Sequence, residues 1–170
     1  MTLSSKLTVT ARVTQTAALD LVEASVPLLR TYTSILADGV GGGQADRVFH
    51  DRRTLSASAN EDLDLAGGLT DAFGAALTFV KIKGLLVAAA AANTNNVIVG
   101  GAASNGFVTW VGGATHTLTV RPGAVLALFA GQADTTGYAV TASTGDLLRV
   151  ANSGAGSTVT YDIVIVGTSA

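Results

Sequence analysis

The chain has 170 residues, with 10 Lys+Arg, 12 Asp+Glu, 20 Gly and no Cys, and charged residues make up only 13% of it, against about 25% in an ordinary soluble domain. A net charge of -2 excludes strong electrostatic capture of nucleic acid. The lack of cysteine excludes disulfides, thiolate catalysis and any zinc site that needs sulfur.

The first residues, MTLSSKLTVTARVTQT, hold no continuous apolar stretch of the kind a signal peptide needs. Within them Leu7, Val9, Ala11 and Val13 alternate with Thr8, Thr10, Arg12 and Thr14. That period of two predicts a half-buried strand. Ala17–Leu29 is a weaker helical candidate, disfavoured by Pro27. Residues 1–37 are expected to form an N-terminal strand or arm. Residues 38–170 are expected to form the core of one compact domain.

The segment 38–64 reads DGVGGGQADRVFHDRRTLSASANEDLD. Four glycines in five positions predict a flexible loop. The whole segment is expected to be a long excursion that ends in a short strand. Its glycines do not make a dinucleotide fingerprint, because Gln44 stands at the sixth position and no Lys-Ser/Thr follows. Arg47, His50, Asp51, Arg52 and Arg53 form the one dense charge cluster, suited to ion pairs with acids of the same or another subunit.

Farther on, Asp62 and Asp64 would share one face of a strand, with Leu63 and Leu65 on the other. Glu61, Asp62, Asp64 and Asp71 are the best carboxylate group for paired-acid chemistry. Edge-strand charges, or partners for the arginines, are the plainer reading. The run Leu85–Ala92 could be a helix on alanine content. Gly84 before it and Asn93-Thr94-Asn95 after it favour a strand. At nine residues, the apolar stretch Gly84–Ala92 falls short of the ~20 that a helical membrane span needs. A soluble protein made inside a cell, with no membrane partner, is therefore expected.

From residue 86 onward only Arg121, Asp134, Asp146, Arg149 and Asp162 are charged. Short β-prone runs there are separated by turn signals such as Gly112-Gly113, Pro122-Gly123 and Asn152–Gly156. In the last strand Val159, Tyr161, Ile163 and Ile165 alternate with Thr160, Asp162, Val164 and Val166, as in a central strand buried on both faces. A buried Asp162 there would need a partner such as Arg121 or Arg149. The fold expected is all-β: a β-sandwich or jelly roll with an extended N-terminal arm and a long loop.

Nothing in the chain marks an enzyme. His50 and His116, the two histidines, have no metal-ligand spacing, and no G-x-S-x-G nucleophile elbow occurs. No catalytic residue, cofactor or metal ligand is expected. Trp110, Phe107 and Tyr138 could serve as a sugar platform, but core or interface anchors are the commoner use of such residues.

The runs DLDLAGGLTDAFGAALTFVKIKG, NTNNVIVGG, VRPGAVLALFA and YDIVIVGTS resemble small structural proteins of tailed bacteriophages over roughly residues 38–170. The resemblance implies a virion protein assembled in the host cytoplasm. Its expected role is capsid decoration or cement, stabilising the shell through contacts with the major capsid protein or other virion subunits. A symmetric homo-oligomer, with a trimer favoured, fits such a role. Arg47, Phe49, Arg52, Arg53 and Trp110 are the expected interface residues. A tail- or fibre-associated module that binds carbohydrate or a receptor is the alternative.

Overall fold

The computed structural model describes residues 2–170. Fourteen strands and no helix occur among them. In chain order they are β1 (Ser5–Ala18), β2 (Glu23–Asp38), β3 (Gln44–Ala45), β4 (Arg47–Leu55), β5 (Asn60–Asp64), β6 (Leu69–Thr70) and β7 (Ala76–Leu77). Then follow β8 (Lys81–Ala89), β9 (Val97–Gly100), β10 (Thr117–Val120), β11 (Val125–Phe129), β12 (Tyr138–Ala139), β13 (Leu147–Asn152) and β14 (Val159–Thr168).

Two antiparallel sheets make the body. The first runs β11-β8-β14-β4, with β12 also on β8; the second runs β10-β9-β13-β5. The chain passes from β4 to β5 across the sheets, returns for β8, crosses for β9 and β10, and returns for β11. It crosses once more for β13 and ends in β14. This is the crossing pattern of a jelly roll.

The core follows from alternation along each strand. Val159, Tyr161, Ile163 and Ile165 of β14 point inward and are wholly buried, as their period predicts. They meet Val97, Val99, Leu148 and Val150 of the opposite sheet in one cluster. Leu63 of β5 and the adjacent Leu65 join it while Asp62 and Asp64 stay outside. Leu85–Ala89 lies within β8, so the strand reading of this alanine-rich run holds. Tertiary pairing on both edges of β8 outweighs alanine's helical preference.

The asparagines of the N-T-N-N turn are structural. Asn93 Nδ2 donates to Thr160 O, and Asn93 Oδ1 accepts from Thr160 N, both at 2.8 Å. Its side chain thereby replaces a missing strand neighbour. Asn95 donates to Asn152 Oδ1 and Gly154 O, and Asn152 donates to Ser56 O and Ser157 O. Three loops at this end of the sandwich are thus tied together.

Segment 38–64 departs from its expected role as an excursion. It supplies β4 and β5, one strand to each body sheet. The glycine run is an ordered turn: Gly41 N donates to Gln44 Oε1, Ala37 N to Gly43 O and Gln44 N to Gly41 O. Gly39 and Gly43 adopt positive φ of 131° and 65°, which explains glycine at these two positions. The turn leads from the N-terminal hairpin into the body.

Candidate interaction surface

β1 and β2 pair over their whole length, from Ser5↔Leu36 to Ala18↔Glu23. At about 3.4 Å per residue the fourteen pairs make a ribbon roughly 45 Å long. Leu19 N donates to Val22 O across the tip. Every residue from Thr8 to Thr33 is exposed. Pro27 fits because the far side of β2 has no strand neighbour there; β3 pairs only with Ala37 and Asp38.

Paired residues in an antiparallel ribbon share a face, so the register sorts the side chains. One face carries Lys6, Thr8, Thr10, Arg12, Thr14, Thr31 and Thr33 together with the exposed Leu29 and Ile35, with cross-strand hydroxyl contacts Thr8–Thr33 at 3.4 Å and Thr10–Thr31 at 3.2 Å. The other carries Leu7, Val9, Val13, Val26, Leu28 and Tyr32. Arg30 is the only charged residue on that second face.

The apolar face is used at its root. Leu7 and Leu36 pack against Val48, Val164 and Val166 on the outer side of the first sheet. Ser34 Oγ donates to Ala130 O at 3.3 Å, and Leu3 N donates to Asp38 Oδ1 at 2.9 Å. Burying Leu36 alone contributes about 2 kcal/mol. Beyond the root the same face is open: Val13 is 56% exposed, Leu28 45% and Tyr32 68%. The sequence reading made Val9 and Val13 half-buried; they project into solvent instead, because the body ends at Leu7.

The outer side of the first sheet continues past the root. The register lines up Val125, Ala88, Asp162 and Arg52 in one row, and Ala127, Leu86, Val164 and His50 in the next. Val125 and Ala127 are exposed, and Leu86, Ala88 and Val164 half-buried. A separate recess of about 430 Å³ lies between the N-terminal segment and the β6–β7 hairpin, lined by Leu3, Val48, His50, Asp71, Phe73 and Leu77.

The residues expected at an interface are scattered over different roles. Phe49 is a core residue, 5% exposed. The Arg53 guanidinium lies 5.9 Å from the Phe49 ring centre and 3.1 Å from Glu61 Oε2. Glu61 Oε1 accepts a 2.6 Å hydrogen bond from the buried Tyr161 hydroxyl. Burial and the Glu61 carboxylate push the Tyr161 phenol well above its usual range. Trp110 is half-buried, and its Nε1 donates to Phe107 O. Arg47 pairs with Asp46 at 3.1 Å. Of the five, Arg52 is the most open: its side chain is 74% exposed and grips Asp162 through both nitrogens at 2.6 and 2.9 Å.

Asp162 thus has an arginine partner, but it is Arg52 and the pair is solvent-exposed, not a buried bridge to Arg121 or Arg149. Arg149 instead holds Asp62 in a two-pronged pair at 2.8 and 2.7 Å. Of the four acids considered for paired chemistry, Asp71 lines the recess and Glu61, Asp62 and Asp64 do not. His116 Nδ1 contacts Val111 O at 2.9 Å. Among the described residues no group of three or more His, Asp or Glu side chains is placed to hold a metal ion.

No family model, curated protein or solved structure matches the chain.

Proposed function

We propose that this chain is a structural protein of a tailed-bacteriophage virion, a decoration or cement subunit of the head. The observation that carries the reading is the long hairpin with an apolar face in solvent, packed at its root on a jelly-roll body. An isolated two-stranded ribbon is marginal in water, and an exposed apolar strip of this size marks a contact surface. A subunit that works by burying area against neighbours needs such a surface and no reactive group. Sparse charge suits the role, since neighbouring copies then repel one another weakly.

The tail- or fibre-module alternative has less support. Phe107 is buried, while Trp110 and Tyr138 are half-buried against the core, so these three offer no open platform for a sugar ring.

Electron microscopy of particles from the source of this chain tests the reading. Density for the jelly roll on the capsid surface is expected, together with rupture at lower temperature for shells that lack it. A chain that sediments apart from all particles, with no affinity for shells, would overturn it.

A further inference from the structure

The geometry points to exchange of hairpins between copies of this chain. The apolar face of one copy's ribbon packs on the outer side of the first sheet of a second copy, over Leu86, Val125, Ala127 and Val164. This goes beyond the capsid reading, and neither depends on the other.

Three observations select a second copy as the occupant. First, the receiving sheet already binds this face: Leu7 and Leu36 sit on the row Gly84–Val166–Val48. The open part of the ribbon presents the same chemistry to the next two rows, so the contact continues an existing one. Second, the areas agree. The eleven exposed pairs from Thr8↔Thr33 to Ala18↔Glu23 make a strip of roughly 37 Å by 10 Å. Giving one ribbon and receiving another across a single two-fold interface would bury up to about 700 Å² per chain, against the ~800 Å² per partner of a standard stable interface. Third, Arg30 has no acidic partner among the described residues, and the receiving face carries the Asp162 carboxylate, held by Arg52 but with lone pairs left for a second guanidinium. Because each copy's ribbon lies on the other's sheet, residue i meets j and j meets i, and the exchange closes as a two-fold dimer.

The test is sedimentation of the purified full chain at tens of micromolar, with circular dichroism to confirm folding. The unmodified chain is expected to form a discrete oligomer. Val13→Glu with Leu28→Lys replaces an apolar pair by an ion pair across the same two positions, so the ribbon keeps its register; this variant is expected to be monomeric. Thr16→Glu with Ser25→Lys makes the matching change on the threonine-rich face and is expected to leave the oligomer intact. Val125→Lys with Ala127→Lys on the receiving sheet is expected to give monomers as well. A monomeric parent chain, or an oligomer indifferent to the Val13 and Leu28 changes, overturns the inference. Dissociation by the ribbon variant but not by the sheet variant overturns the assigned receiving face. Each outcome is read in solution without particles, so it stands apart from the capsid result.

Discussion

Leu7 Cδ1 of the hairpin sits over Gly84 of β8, in the space where any other residue would carry a Cβ. Leu7 seats against the sheet here, beside Leu36, because this one position in a central strand has no side chain. Gly84→Val is therefore expected to lift the root from the sheet. Overpacking of this kind costs about 1–3 kcal/mol. Urea unfolding checks the stability, and faster proteolysis within residues 38–46 reports the released root. A variant as stable and as resistant as the parent would show that Leu7 is not the anchor.

The Tyr161–Glu61 bond is a part-buried polar link between the two sheets. Tyr161→Phe is expected to destabilise by about 1–2 kcal/mol, since the part-buried Glu61 carboxylate loses one donor while Arg53 remains. The folded-state phenol is raised above its ordinary value of 10.0, so it stays protonated where the unfolded chain ionises. Its stabilisation is complete below pH 10 and declines as pH rises past that value. Chemical denaturation between pH 8 and 11 should show the decline in the parent and a weaker one in Tyr161→Phe.

Asp134 closes its own loop. Its Oδ1 accepts from Thr136 N, Thr136 Oγ1 and Gly137 N, at 2.8, 2.6 and 3.1 Å, and these donors lower its carboxyl from 3.8 to about 2. A depressed acid stabilises above its unfolded pKa and stops doing so as pH falls through the folded one. The loop 131–137 should therefore loosen between about pH 4 and 2. The Thr136 amide resonance, followed by NMR, is expected to titrate with a midpoint near 2 and to lose that transition in Asp134→Ala.

Phe49 and Arg52 stand three residues apart on β4 and should respond in opposite ways. Phe49→Ala removes a core ring and is expected to cost about 3–5 kcal/mol. Arg52→Ala breaks an exposed ion pair and is expected to change stability by less than about 1 kcal/mol. Thermal unfolding separates the two. An equal loss at both positions would contradict their assigned burial.

Much of the body was legible in the residues. The row Val159, Tyr161, Ile163 and Ile165 announces a buried central strand, since alternation encodes which face meets the core. β4 was hidden because Asp51 and Arg53 share the inward face with Phe49 and Leu55. Only two of those four inward positions are apolar, so the pattern reads as a charged loop. The inward charges are tolerated because β4 is an edge strand, where Arg53 reaches both Asp51 and Glu61.

The sequence by itself determined the class of fold and an amphipathic N-terminal strand, because both rest on local periodicity and turn chemistry; the partner strand β2, which takes in most of the helical candidate Ala17–Leu29, was not legible in it. Only the tertiary structure decided what the ribbon's apolar face meets. Val9 and Val13 have the same pattern as Leu7, but the sheet beneath Leu7 does not extend to them. Likewise only the register of β14 on β4 decided that Asp162 meets Arg52, a residue 110 positions away. Periodicity says which side a residue faces; what stands on that side is set by pairings between distant segments, which no local pattern records.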